Sequence, residues 1–381
     1  MKQLRPLFAA AAALLLASCG APAAALADFD RTVYAPACAS GFEILGSHDS
    51  GSVLLRVVDP WQGASGFEQR VLLLRDGESA PAGFSGTVVR TPVRRTVCMS
   101  SSHTAMMCAV GAADAVAAVS GAQYISDTLI ASRCRRGAVA DVGVDTAPDF
   151  EVLAGVRPDV VLMYGVGDGN DRLVSKLSEL GIPHIYIGDY VEQSPLGKAE
   201  WLRVAGELTG RTAEADSLFG GIRSRYEALR DSVAAARADA VRPRVMLNTP
   251  YRGTWFLPPE GSYMVRLVRD AGGEPFCAQG DVNASQAVDI EQAYLLASQA
   301  DVWLNTGFCT SLDELRAMNP RFAGIAPVRA GRVYNNNARS TEAGGSDFWE
   351  SGVVRPDVVL RDLITIMCGD GEELYYYRQL R

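Results

Sequence analysis

Three histidines, His48, His103 and His184, are the only imidazoles in 381 residues, and they stand far apart in the chain. A three-histidine zinc or manganese site would need all of them. His48 falls in a turn-rich stretch, so no directly bound transition metal is expected. Gly165-Val166-Gly167-Asp168-Gly169 follows a strand-like run and precedes a helical one. It lacks the Lys-Ser/Thr pair of a phosphate-gripping loop and the full G-x-G-x-x-G order. Glycines are needed anyway where a strand turns sharply into a helix. No G-x-S-x-G nucleophile elbow occurs, and no C-x-x-C supports redox or zinc-ribbon chemistry. No residue is assigned a catalytic role.

The ends and the charge narrow the class. Lys2 and Arg5 precede an apolar run from Leu7 to Leu16, too short to span a bilayer and typical of an export signal. The run closes in Leu16-Ala17-Ser18-Cys19-Gly20, which looks like a bacterial lipoprotein processing site, so residues 1–18 are read as leader and Cys19 as a lipidated N-terminus. Ala21 to Ala27 reads as a tether. Loss of Lys2 and Arg5 leaves 34 basic against 44 acidic residues, a charge of −10, which argues against nucleic acid as a partner. Export permits disulfides. Seven cysteines after Cys19 leave at least one thiol free, and Cys277 with Cys309 is the one bridge suggested.

The elements that must position any site follow from periodicity. From Asp28 to Arg95 short strand-like runs, Phe42–Leu45, Ser52–Val58, Arg70–Leu74 and Gly86–Arg90, alternate with Gly, Pro and Asp turns, predicting a β-rich extension over 19–95 with its tether. Trp61, after Asp59-Pro60, is read as a packing aromatic ahead of a binding one. Ala215, Leu218, Phe219, Ile222, Tyr226, Leu229, Val233 and Ala236 recur at steps of three and four, predicting one long helix from Thr212, as N-cap, to Asp239.

The flanks of that helix resemble each other. Asp149-Phe150-Glu151, then Pro158-Asp159-Val160-Val161-Leu162 and Gly165, is matched by Asp289-Ile290-Glu291, then Ala300-Asp301-Val302-Trp303-Leu304 and Gly307. This predicts two related α/β lobes, 96–193 and 242–381, joined by a helical segment 194–241. The first lobe should have strands at Thr96–Met99, Ala115–Ser120, Val160–Tyr164 and His184–Gly188. The second should have them at Arg244–Asn248, Val302–Asn305 and Val333–Asn335. Helices are expected at 104–110, 149–154, 170–180, 263–271, 289–297, 312–318 and 353–367. Apolar strands alternating with helices imply parallel sheets covered on both faces. The fold class is therefore α/β, two Rossmann-like lobes joined by a long rigid helix, plus the extension. Ligands in such sheets sit beyond the carboxyl ends of the strands, which nominates the loops starting at Ser100, Tyr124, Tyr164, Gly188, Thr249, Asn305 and Asn336.

Four short segments and their order resemble a known family. Arg157-Pro158-Asp159-Val160-Val161-Leu162, Ala199-Glu200-Trp201, Asp270-Ala271-Gly272-Gly273, and Asp347-Phe348-Trp349-Glu350-Ser351-Gly352 with Arg355-Pro356-Asp357 carry the resemblance. Their order is similar to that of class III periplasmic substrate-binding proteins of ABC importers, in the group taking ferric siderophores, haem and cobalamin, and in particular a Bacteroidetes-like lipoprotein branch. The resemblance implies capture of a metal chelate between the lobes, delivery to a permease dimer with its ATPase subunits, a periplasmic location on a lipid anchor, and no cofactor beyond the ligand itself.

One turn departs from the family pattern. Many members start the first helix of the first lobe with a glutamate, where this chain has Ser100-Ser101-Ser102-His103-Thr104. That turn suits an anionic ligand edge or an ordinary capped start equally. The family fold brings Ser101, His103, Tyr124, Arg133, Arg135, Tyr164, Tyr190, Tyr251, Arg252, Trp255, Phe308, Asn336, Phe348 and Trp349 in or near the cleft loops. There arginines would meet ligand oxygens and aromatics would stack on a macrocycle. Glu151 and Glu291 match the surface glutamates that dock on the permease. A tetrapyrrole chelatase-like or hydrolytic enzyme on the same two-lobe fold, or a surface lipoprotein without a transport role, are the alternative readings. Siderophore, haem and corrinoid remain open.

Overall fold

In the computed structural model, residues 28–144, 147–165, 171–280, 284–369 and 371–381 are described. The leader, Cys19 and most of the Gly165–Gly169 loop lie outside them.

The extension is one sheet in the order β1 (Arg31–Tyr34), β2 (Phe42–Gly46), β3 (Val53–Val58), β4 (Glu68–Arg75) and β5 (Thr87–Thr91). Neighbours are antiparallel except β4 and β5, which run parallel. Successive side chains on a strand point to opposite faces. Val53, Leu55, Val57, Val71 and Leu73 thus enter the main core, while Leu54, Leu72 and Leu74 meet Phe29 in a small outer cluster. The inner face is therefore continuous with the first lobe.

That lobe has β6 (Thr96–Cys98), β7 (Val116–Val119), β8 (Ala140–Asp141), a short ribbon of β9 (Gly143–Val144) with β10 (Ala147–Pro148), β11 (Val160–Met163) and β12 (His184–Tyr186). Its parallel sheet runs β12-β11-β6-β7-β8. The helices are α1 (Ser101–Ala109), α2 (Thr128–Arg135), α3 (Phe150–Val156) and α4 (Asp171–Glu179). Helix α1 starts three residues earlier than the apolar pattern predicts, because the Ser100 hydroxyl caps it by accepting the Ser102 N–H.

The connecting segment holds α5 (Pro195–Glu200), α6 (Leu202–Thr209) and α7 (Thr212–Ala236). Helix α7 is 25 residues long, about 37 Å at about 1.5 Å per residue. Thr212 is its first helical residue rather than its cap, and the helix stops at Ala236, short of Asp239. Its inner face, with Ala215, Phe219, Ile222, Tyr226 and Val233, is buried. It is bound along its length by Arg203–Asp216 at 2.9 Å, Arg225–Asp357 at 2.6 Å and a Tyr226 hydroxyl bond to Asp270 at 2.6 Å.

The second lobe has β13 (Arg244–Leu247), β14 (Thr254–Leu257), β15 (Glu274–Pro275), β16 (Gln286–Asp289), β17 (Val302–Leu304), β18 (Val333–Asn335) and β19 (Arg378–Gln379). Its helices are α8 (Tyr263–Asp270), α9 (Ile290–Ser298), α10 (Leu312–Met318), α11 (Ala326–Arg329) and α12 (Pro356–Cys368). The sheet runs β15-β13-β17-β18-β19, parallel except for the last strand. Alternation splits its core: Val245, Leu247, Val302 and Leu304 face the main cluster, whereas Met246 and Trp303 face a second cluster with Trp255 and Phe322.

The repeat has a physical basis. Asp159 accepts the main-chain N–H groups of Arg94 and Arg95, at 2.7 and 2.9 Å, and Asp301 accepts that of Arg244 at 2.7 Å. Each aspartate thus ties the foot of one central strand to the foot of its neighbour. Asp149 and Asp289 cap α3 and α9 in the same way. Two expectations fail. Cys277 and Cys309 are both free thiols, not a bridge. The loop starting at Thr249 does not reach Trp255, which stands on β14 where it pairs antiparallel with β16.

Candidate functional site

The carboxyl ends of β6, β7, β11 and β12 open on a cavity of about 440 Å³. Ser100, Ser101 and Ser102 line it from the start of α1, Ser120, Gly121 and Tyr124 from the loop after β7, Tyr164 from the loop after β11, and Asp189 and Tyr190 from the 3-10 turn after β12. Ser101, Tyr124, Tyr164 and Tyr190 of the expected set therefore come together. Tyr164 and Tyr190 meet edge to face at 6.2 Å, and the Tyr190 hydroxyl donates to the Gly165 carbonyl. The Ser100 and Ser102 hydroxyls lie 3.0 Å apart, giving a polar floor between aromatic walls.

His103 does not join them. It is buried on the inner side of α1, with Nδ1 3.2 Å from the Leu162 carbonyl oxygen and Nε2 4.0 Å from Asp189. Burial lowers its pKa, with Asp189 opposing, so the imidazole is held toward its neutral form. Beyond it, Lys198 is buried too: Nζ donates to the Asp189 main-chain carbonyl at 2.8 Å and sits 4.8 Å from the Tyr263 ring centroid. Burial lowers the lysine pKa, while Asp189 and Glu192 pull it back up. His103, Asp189 and Lys198 thus form a polar seam beneath the cavity, linking α1, α5 and the second lobe.

Three further corrections concern side-chain direction. Arg133 is turned away, donating to the Ala113 carbonyl at 2.6 Å and pairing with Asp114 at 3.1 Å. Trp255 is 0 % exposed; its indole N–H reaches the Leu247 carbonyl at 2.9 Å and its ring packs on Trp303 and Phe322. It lies on the inward face of β14, so it belongs to the core. Phe348 is likewise buried against Tyr376 and Tyr377.

The second-lobe loops present the rest. Tyr251 and Arg252 occupy an exposed hairpin tip in which Arg252 and Gly253 both have positive φ, as a tight two-residue turn requires. Phe308 is 91 % exposed in the loop after β17. Asn336 is nearly buried, its carbonyl accepting the Ser346 hydroxyl at 3.0 Å. Trp349 is half exposed beside Tyr263. Arg135 is exposed at the end of α2. All residues lining the 440 Å³ cavity come from the first lobe.

Sequence reasoning missed the residues that join the parts. Glu200 accepts from the Tyr34 hydroxyl and from the Ala37, Cys38 and Ala39 N–H groups, all at 2.7–2.9 Å. Glu192 accepts from Ser40, Gly41 and the Trp201 indole at 3.0 Å. The signal was present in Ala199-Glu200-Trp201, but its partners lie more than 150 residues away. Trp61 is a packing aromatic: its ring packs on Phe67 and Tyr186 and lies over Gly165, where any Cβ would come within 2.3 Å of it.

Both docking candidates are exposed at helix starts. Glu151 is on α3, and Glu291 on α9 is held by both guanidinium nitrogens of Arg321.

Two α/β lobes bridged by a long helix, with a cavity at the strand ends, define a two-lobe binding protein. Residues 96–339 match the periplasmic binding protein family, and the chain belongs to it. An uncharacterized lipoprotein of Methanocaldococcus jannaschii is 24 % identical over 78 % of this chain and 72 % of its own length. The periplasmic heme binding protein of Pseudomonas aeruginosa superposes with a TM-score of 0.58 at 15 % identity, covering 76 % of this chain and 98 % of that one. The siderophore binding protein of Vibrio cholerae bound to Fe3+–Desferal gives 0.52 at 18 %, covering 72 % and 99 %. The vitamin B12 binding protein of the same species gives 0.52 at 16 %, covering 74 % and 99 %. These proteins share the fold. The family's location is the periplasm. Among the described residues no helix is long and apolar enough to cross a membrane.

Proposed function

We propose that this periplasmic binding protein captures a metal chelate, a ferric siderophore or haem and otherwise a corrinoid, and delivers it to an ABC permease with its ATPase subunits without transforming it. The observation that carries this reading is the 440 Å³ cavity at the strand ends, where Tyr124, Tyr164 and Tyr190 surround the serine-lined start of α1. Aromatic faces suit the apolar rim of a chelate, and hydroxyls with helix N–H groups suit its oxygen-rich edge. The leader, a lipidated Cys19 and the lipoprotein relatives support an anchored carrier. Calorimetric titration with haemin, ferrioxamine B and cyanocobalamin tests the reading. One of the three should bind, and Tyr164→Ala should weaken it by about tenfold, roughly 1.4 kcal/mol. Failure of all three to bind, or conversion of the bound chelate, would overturn it.

A further inference from the structure

A second cavity, of about 600 Å³, adjoins the first, and Tyr190 lines both. Its walls come from three parts of the chain: Asp59, Trp61 and Gln62 of the extension, Tyr190 and Glu192 after β12, and Ser262 with Tyr263 at the start of α8. The loop that supplies the first wall is keyed into the cleft. Trp61 covers Gly165, and the Gln62 N–H points to the Tyr190 hydroxyl at 3.4 Å. This wall lies ahead of the segment that matches the family, which begins at residue 96.

The chemistry of the lining is one-sided. Its two charged groups are acidic, Asp59 and Glu192, and no lysine or arginine is among the described residues that line it. Glu192 spends its oxygens on Ser40, Gly41 and Trp201. One oxygen of Asp59 accepts the Phe67 N–H at 3.1 Å. The exposed Asp59 carboxylate favours a hydrogen-bond donor and disfavours a carboxylate, since like charges brought together in a partly dry site repel. Trp61 and Tyr190 offer flat apolar faces to the stem of such a group.

Resting on the chelate-binding reading, we infer that the extension builds a subsite for a peripheral arm of the ligand, an uncharged carboxamide or a cationic ammonium, beside the cavity that holds the chelate itself. The extension then acts as a selector among chelates of similar core, excluding those whose arms end in carboxylates.

The test uses the whole mature protein and three probes: ferrioxamine B, which carries an ammonium arm, cyanocobalamin, which carries carboxamide arms, and haemin, which carries carboxylates. Gln62 is exposed, so Gln62→Trp fills the cavity without entering the core. Asp59→Asn keeps the acceptor for Phe67, tolerates the positive φ at that position and removes the charge. The expected result is that wild type binds ferrioxamine B or cyanocobalamin and that Gln62→Trp weakens this by at least about tenfold. If ferrioxamine B is the bound probe, Asp59→Asn should weaken it by about threefold. Unchanged affinity in Gln62→Trp would overturn the subsite and leave chelate binding standing. Binding of haemin alone would overturn the arm chemistry, and binding of none of the three would overturn the underlying function as well.

Discussion

The Glu350 carboxylate accepts the main-chain N–H of Ser126 at 2.7 Å, joining residues 224 positions apart. Its other oxygen accepts the Asp127 N–H at 2.7 Å. The second lobe thus grips the start of α2 in the first. Nearby, Gly345 lies so close to Tyr124 that a Cβ would come within 2.0 Å of the Tyr124 carbonyl oxygen. With α7 fixed at three points, these contacts favour a nearly rigid frame around the cavity over wide hinge closure.

The grip depends on pH. Burial pushes the Glu350 carboxyl up to about 7, against the pull of the Ser126 and Asp127 N–H groups, with the Asp347 and Asp127 charges adding to the rise. Arg339, ion-paired with Asp347, and Arg225 and Arg355 line, together with Glu350, a separate cleft of about 460 Å³. A carboxyl raised on folding contributes stability that is full below its unfolded value and is lost as pH rises through the folded one. Between about pH 5 and pH 8, wild type should lose on the order of 2–3 kcal/mol that Glu350→Gln does not lose. Urea unfolding of both proteins across this range checks it; parallel profiles would contradict it.

Trp255→Ala should lower stability by about 3–5 kcal/mol, the cost of emptying a buried aromatic site. Denaturant midpoints check this, and chelate affinity of the folded fraction should not change. A stable variant with weakened binding would return Trp255 to the cleft.

Glu200→Gln should loosen the junction of extension and lobes. An amide cannot accept with its nitrogen, so N–H groups among residues 37–39 lose their partner, at about 1–3 kcal/mol for each one left buried. Hydrogen exchange should accelerate at Ala37, Cys38 and Ala39 while the strands of both lobes keep their protection. Unchanged exchange there would show that Glu200 does not anchor the segment.

Glu151→Ala combined with Glu291→Ala should keep chelate affinity in solution and lose uptake. Exposed ion pairs contribute only about 0–1 kcal/mol each, so single variants should lose less than the pair. Glu291 is already held by Arg321, so the loss of its carboxylate also frees that guanidinium. Cellular uptake of a labelled chelate checks this; normal uptake by the double variant would remove both residues from the docking surface.

Much of the frame was legible from periodicity, because parallel strands and a long amphipathic helix write their burial directly into the chain. The Asp159 and Asp301 repeat was visible for the same reason: each secures neighbouring strands at equivalent places. Direction was less legible. Trp255 stands in a short strand after a tight turn, and nothing local shows that its face points inward. Arg133 and His103 sit on helices whose cleft side is set by packing rather than by spacing. Glu192, Glu200 and Glu350 act on backbone groups more than 150 residues away, so their roles exist only in the assembled fold.

A carrier of this kind should leave its cells with a chelate in the cavity. Native mass spectrometry of the mature protein, purified gently from its own cells, tests this most directly. One small molecule per chain is expected, its mass and isotope pattern including a transition metal, released intact on denaturation. A folded protein that retains no such molecule and binds none of haemin, ferrioxamine B or cyanocobalamin on titration would contradict it.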